Sequence, residues 1–185
     1  MGKKDFEIFL LNNSDSNEIE LKIDWGKEKQ DWLNFINIFY DQVKYWLEDY
    51  NSKGLVKYSY TNKNITEENI GSYEVKKLDL KLAGSRVTFD PIGTLLIGAK
   101  GRIDLVGPKE TINFVLVDKT SRGLKFSFTT NVITGNDPLG SAPKKEKTKE
   151  IEWAWKILNR HSPQISYDEF TEDNFLQALM ESING

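Results

Sequence analysis

The glycines around Lys100 are the first feature of the sequence that could perform chemistry. Residues 93–108 read GTLLIGAKGRIDLVGP. A phosphate-binding loop needs flexible glycines followed by Lys and then Ser or Thr at the start of a helix. Here a strand-forming run, residues 94–97, separates the glycines, and Gly101 stands where Ser or Thr is needed. The pattern predicts a tight turn at residues 98–101, with Gly101 in a left-handed conformation. The turn would pair residues 94–97 with residues 102–106 and bind no nucleotide.

Four aspartates lie in or at the ends of predicted strands, where two of them sharing a cleft could divide acid and base roles or bind Mg²⁺. They are Asp79, Asp90, Asp104 and Asp118. The same strands carry the cations Lys77, Lys81, Arg86 and Arg102. Opposite charges on neighbouring strands are common on a solvent-exposed sheet face. We therefore interpret the aspartates as ion-pair partners and assign them no catalytic or metal-binding role.

Histidine, cysteine and tryptophan chemistry is narrowly limited. His161 is the only histidine, and the turn-like stretch around it, NRHSPQ, carries no nucleophile motif, so we assign it no catalytic role. The absence of cysteine excludes disulfides, thiolate nucleophiles and Cys-ligated metal sites. Trp153 and Trp155 alternate on one predicted strand and could stack on bases or sugars. Such rings also build strand-to-helix cores, and we place them there. No catalytic, cofactor-binding or metal-binding residue is predicted.

Composition and charge limit the class of protein to which the chain can belong. The 185 residues are 38% hydrophobic and 29% charged, with a net charge of −3, which suits one folded domain over residues 1–185. An acidic balance gives no general attraction to nucleic acid or anionic membranes. No run approaches the roughly 20 apolar residues of a membrane helix, and Asp5 and Glu7 interrupt the N-terminal apolar run. We expect a soluble, cytoplasmic protein.

Hydrophobic periodicity predicts one long helix over residues 30–50. Asp24 is a suitable N-cap, and the NSKG stretch at residues 51–54 is a suitable stop. The helix carries a second set of apolar side chains, which predicts that it is covered on more than one side: Leu33, Ile38, Tyr40 and Tyr45. Its main apolar face comprises Trp32, Phe35, Ile36, Phe39, Val43, Trp46, Leu47 and Tyr50.

The other segments alternate with period two or lack apolar periodicity. Residues 18–24 are compatible with a strand or a helical lead-in, and residues 134–150 predict a mobile loop. A closing helix begins near Thr171. Strands are predicted at residues 6–11, 55–61, 73–82, 86–90, 94–97, 102–106, 111–118, 124–133 and 151–158.

These elements predict an α+β fold in which an antiparallel meander sheet of about six to eight strands packs against one long helix from the N-terminal half and a C-terminal helix. The order resembles the helix-grip arrangement of START-like and Bet v 1-like lipid-binding domains. That resemblance implies a carrier of an apolar small molecule or lipid in a cavity between curved sheet and helix. The absence of catalytic signatures favours instead a non-catalytic protein-protein interaction domain, such as an adaptor, an immunity-like protein or a subunit of a larger assembly.

Overall fold

The computed structural model describes residues 24–94, 99–123, 151–159 and 166–185. Two helices and seven strands follow one another in the order α1, β1 to β7, α2. The helices are α1 (Trp25–Ser52) and α2 (Glu172–Asn184). The strands are β1 (Val56–Glu67), β2 (Gly71–Leu82), β3 (Ser85–Gly93), β4 (Gly101–Val106), β5 (Thr111–Asp118), β6 (Trp153–Asn159) and β7 (Ser166–Glu169).

Helix α1 begins and ends where the local sequence requires. The Asp24 carboxylate accepts a hydrogen bond from the backbone N–H of Lys27 at 3.0 Å, which satisfies one of the free donors of the first turn. After Ser52, Gly54 takes a positive φ of 72° and turns the chain toward β1. Helix α2 starts in the same way, since the Thr171 hydroxyl accepts from the N–H of Asn174. The predicted N-cap of α1 at Asp24 and the predicted start of α2 near Thr171 are therefore confirmed.

All seven strands form one antiparallel meander, so each strand pairs with its neighbours in the chain. The predicted fold class is confirmed. A two-residue turn joins β2 to β3, with Ala83 and Gly84 both at positive φ, as the tightest hairpins require. This turn places Leu82 opposite Ser85 and Lys81 opposite Arg86.

The β1–β2 hairpin buries opposite faces in its two halves. Near the sheet centre Leu78 and Leu80 are buried, whereas toward the hairpin tip Tyr73 and Val75 are buried instead. The pairing of β1 with β2 has no register shift, and β3 pairs only with residues 78–82 of β2. Because a two-stranded ribbon twists more strongly than a wide sheet, the tip turns its other face to the core.

Aromatic rings fill the space between the helices and the sheet. The Phe39 ring lies 5.6 Å from that of Phe89, 5.1 Å from Phe114 and 5.0 Å from Trp155, measured between centroids. Phe170 stacks on Phe39 at 4.9 Å and links α1 to the start of α2. Such pairs add about 0.5–1.5 kcal/mol each beyond their buried area. Both helices thus cover the same side of the sheet.

The turn predicted around Gly101 differs from the observed structure. Gly101 opens β4 without a left-handed φ; the positive-φ glycine here is Gly93, at 142°. Strand β3 continues through Pro91 to a register shift at Gly93, which pairs with Arg102, so β4 takes its partner from residues 88–93. A bulge is where a strand tolerates proline. The prediction that residues 94–97 pair with residues 102–106 is therefore wrong for Thr94, and residues 95–98 lie outside the described part.

The prediction that α1 is covered on more than one side is only partly right. Tyr40 is buried, but Ile38 is 58% exposed and Tyr45 is 73% exposed. Strand β7 was not predicted, because its four residues show no clear alternation. The predictions for residues 6–11, residues 124–133, the loop at residues 134–150 and His161 fall outside the described residues, as does the choice between strand and helix for residues 18–23. In the described ranges, neither helix is both long and apolar enough to span a membrane.

Candidate binding surface on the outer face of the sheet

A hydrogen-bonded carboxylate lies on the sheet face that points away from the helices, one strand in from the edge. Asp79 on β2 is 3% exposed and accepts from the Thr88 hydroxyl at 2.6 Å and the Thr61 hydroxyl at 3.1 Å. Arg86 lies 3.1 Å from the same carboxylate. Burial alone would raise the pKa of Asp79, but the hydrogen bonds from Thr88, Arg86 and Thr61 outweigh it and lower the pKa. Asp79 is therefore a structural anion.

The other predicted carboxylates are also engaged in the structure. Asp90 pairs with Lys63 at 2.6 Å, and Asp118 accepts from the N–H and hydroxyl of Thr120 at 2.7 Å. Asp104 lies opposite Asp90 but pairs with Arg102 on its own strand at 2.9 Å. Among the residues that the structure describes, no three acidic or histidine side chains converge as metal ligands.

Three cations form a continuous row across this outer face, which we call the cationic row. Lys57 on β1 lies directly opposite Lys81 on β2, and Lys81 lies directly opposite Arg86 on β3. Side chains of directly opposite residues share a face, with Cβ atoms about 4.5–5.5 Å apart. Within the four described ranges, the amines of Lys57 and Lys81 form no ion pair. Like charges in this arrangement destabilise a sheet.

The cationic row borders a shallow concavity and an open strand edge. The concavity has a volume of about 250 Å³ and is lined by the three cations together with Ser59 and Asp79. Strand β1 is the first strand of the described sheet and pairs only with β2, so the other side of its twelve residues carries no strand in the described part. The row therefore meets an edge where backbone N–H and C=O groups face outward.

A second polar cluster lies at the tip of the β1–β2 hairpin. The buried carboxylate of Glu67 accepts from the hydroxyl of Tyr73 and, through Oε2, from the N–H and hydroxyl of Thr94 at 2.9 and 2.7 Å. Burial, followed by the bond to Glu67, raises the pKa of Tyr73. The Trp32 indole N–H faces this pair and slightly opposes the rise in the pKa of Tyr73. It is too far or too poorly aligned to form a hydrogen bond with it. These contacts fasten the hairpin tip to the end of β3.

Lys100 lies between carboxylates and an indole ring. Its amine is 3.3 Å from Glu28, 3.5 Å from Asp31 and 5.4 Å from the centroid of Trp153, and its side chain is 12% exposed. This setting ties the start of β4 to the first turns of α1. Trp155 is buried, as predicted, and donates to the Phe35 carbonyl at 3.2 Å.

An open groove of about 510 Å³ runs along one flank of α1. Leu33, Ile36 and Val75 supply its apolar part, and Lys44 and Glu74 belong to its polar part. The Tyr40 hydroxyl donates to the Lys76 carbonyl at 2.7 Å and holds the hairpin beside the helix. The groove lies outside the aromatic core.

The cationic row was not predicted from the sequence, because the lysines and arginines were considered only as ion-pair partners of the aspartates. Part of the signal was in the sequence, since a two-residue turn at Ala83 and Gly84 necessarily sets Lys81 opposite Arg86. The position of Lys57 depends on the register of β1, which the hairpin turn around residues 68–70 fixes.

Searches against protein-family models, curated proteins and solved structures gave no significant match to this chain.

Proposed function

We propose that this chain is a non-catalytic protein-interaction domain that binds its partner on the outside of a filled α+β scaffold. The observation that carries the proposal is the packing around Phe39, whose ring lies within 5.6 Å of those of Phe89, Phe114, Trp155 and Phe170. These rings occupy the space between helix and sheet in which a carrier would hold an apolar ligand.

The outer surface offers the features that protein recognition uses. An edge strand can accept the backbone of another chain through main-chain hydrogen bonds, and nearby side chains then provide specificity. Strand β1 supplies a long edge, and the cationic row supplies charge beside it. The polar groups around Asp79, on the neighbouring strands, are engaged in hydrogen bonds with one another.

A small-molecule carrier is the second candidate, and the groove beside α1 is the observation that favours it. Its volume of about 510 Å³ is in the range of small-molecule sites, which run from about 300 to 1,000 Å³. Lys44, Glu74 and Asp41 line its polar part, and its opening faces solvent. A ligand there would be amphipathic, in contrast to the buried lipid of a helix-grip carrier.

Native mass spectrometry of the chain purified from its own host tests the two candidates together. The interaction function predicts an added mass of several kilodaltons or more, which dissociates as an intact protein. An added mass of a few hundred daltons, released as one small molecule, would replace the proposal by the carrier function. The variant Leu33→Glu, at a half-buried position in the groove, should remove such a small-molecule adduct and leave a protein adduct in place.

A further inference from the structure

We propose that the cationic row and the outer edge of β1 form one docking site, and that its occupant is an extended acidic segment of a partner protein, added beside β1 as a further strand. This inference rests on the proposed function and specifies the partner's chemistry. The first step is the charge of the row. Lys57, Lys81 and Arg86 lie side by side, and Asp79 contributes one negative charge. Three positive charges and one negative leave a net charge of +2 in a chain whose total is −3.

The chain itself does not neutralise this charge in the described part. Asp79 is 3% exposed and already accepts from Thr61 and Thr88, so it pairs with Arg86 but is not placed to serve the two lysines. A lysine on an edge strand is a common device against aggregation, and Lys57 alone would need no further account. Lys81 and Arg86, however, lie on inner strands. Keeping three cations adjacent is unfavourable unless an anion binds them.

The strand edge determines how that anion is presented. A residue opposite Lys57 on an added strand would continue the row, within about 5 Å of Lys57 between Cβ atoms. Four residues along, a second position on the same face would lie opposite Thr61, next to Lys77. The alternate positions would lie beside Tyr58 and Tyr60, on the other face of β1. The geometry therefore selects a strand with carboxylates four residues apart on one face and apolar side chains on the other.

A protein segment fits this site better than a nucleic acid. Only a peptide backbone can complete the hydrogen-bond ladder along β1. Nucleic-acid binding usually neutralises several phosphates through a wide basic surface, whereas this row has three cations and the chain is acidic overall.

Binding of short fluorescent peptides to the full chain, followed by anisotropy at low salt, tests the site. The probe has about ten residues, with two glutamates four positions apart on one face and valines on the other. Three matched ligands accompany it: the same peptide with glutamines, the same peptide N-methylated on one backbone edge, and a single-stranded oligonucleotide of equal charge. The variants are K57Q/K81Q and, as the control with equal charge loss on α1, K27Q/K29Q.

We expect the acidic peptide to bind K57Q/K81Q at least about fivefold more weakly than the wild-type chain, in line with the loss of two surface charge pairs. Its affinity for K27Q/K29Q should equal that for the wild-type chain. The glutamine peptide should also bind more weakly, and N-methylation should abolish binding. The proposed site would be wrong if the peptide bound K57Q/K81Q as tightly as the wild-type chain, or if N-methylation left its affinity unchanged. Tighter, row-dependent binding of the oligonucleotide would assign the row to nucleic acid instead. If the protein complex seen by native mass spectrometry forms as well with K57Q/K81Q as with the wild-type chain, the proposed site is wrong but the proposed interaction function is retained. A small molecule in place of a protein would refute the function itself.

Discussion

At the scale of single residues, Gly101 shows how one missing side chain permits the core. A Cβ atom at this position would lie 2.2 Å from Cζ3 and 2.6 Å from Cε3 of the Trp32 ring. The indole therefore packs directly on the backbone at the start of β4. The need for glycine is steric, and the left-handed conformation expected from the sequence plays no part.

We predict that Gly101→Ala lowers the free energy of unfolding by about 2–3 kcal/mol, because overpacking forces Trp32 to move. Gly54→Ala is the control: its φ is positive but the space around it is open, so it should cost only about 1 kcal/mol. Urea denaturation gives both values. In a Trp32→Leu background, Gly101→Ala should add little further cost. An equal cost for the two glycine variants in the wild-type background would contradict the steric account.

Two buried tyrosines make stability depend on alkaline pH. Burial is the largest cause that raises the pKa of Tyr40 and of Tyr73 above the ordinary value of 10.0. Well below pH 10 both are neutral in the folded and unfolded chains. Above it, the unfolded chain loses protons that the folded chain keeps, so stability falls as pH rises.

We predict that the free energy of unfolding falls by up to about 1.4 kcal/mol per pH unit for each of these tyrosines above pH 10. Denaturation at a series of pH values measures the slope, and Tyr40→Phe or Tyr73→Phe should reduce it. Tyr45→Phe serves as the control, since Tyr45 is 73% exposed. If neither Tyr40→Phe nor Tyr73→Phe changed the slope, these hydroxyls would not cause the loss of stability above pH 10.

At the scale of elements, helix α1 is held by one face. Phe39 is fully buried among aromatic rings, whereas the adjacent Ile38 is 58% exposed. We predict that Phe39→Ala costs roughly 3–5 kcal/mol, the usual range for a buried aromatic ring. Ile38→Ala should change stability by less than about 0.5 kcal/mol. Thermal and urea denaturation check both, and similar losses at the two positions would mean that the open face of α1 is also packed.

The cationic row allows a prediction in the opposite direction, toward higher stability. Lys81 lies between Lys57 and Arg86, so Lys81→Gln relieves repulsion from both sides. We predict a gain of a few tenths of a kcal/mol at low salt, which disappears in 1 M salt because the charges are then screened. Lys77→Gln on the same strand is the control, since Lys77 lies opposite Thr61. A loss of stability in Lys81→Gln would mean that Lys81 has an attractive partner.

Most elements could be predicted from the sequence, because periodicity and caps are local signals. The face of α1, a turn between the strands at residues 83–85, and the start of α2 near Thr171 are examples. The β3–β4 pairing could not be predicted, since Pro91 and Gly93 form a bulge that only the neighbouring strand makes favourable. The cationic row and the Glu67–Tyr73 pair depend on register between strands, which apolar alternation alone does not specify.

At the scale of the whole molecule, the packed core and the proposed binding surface lie on opposite sides of one sheet. The helices and their aromatic rings fill the inner side, and the outer side carries the engaged Asp79 and the exposed cations. A partner can therefore bind at the outer side without opening the core. This division suits a domain that recognises another protein and leaves its own fold unchanged on binding.

Hydrogen–deuterium exchange of the chain, free and in the complex isolated from its host, tests this claim most directly. We expect added protection along β1, Val56–Glu67, because an added strand bonds its outward N–H groups, with little change in α1. Protection confined to the α1 flank around Leu33, Ile36 and Tyr40, with β1 unchanged, would contradict it and place the ligand in the groove beside the helix.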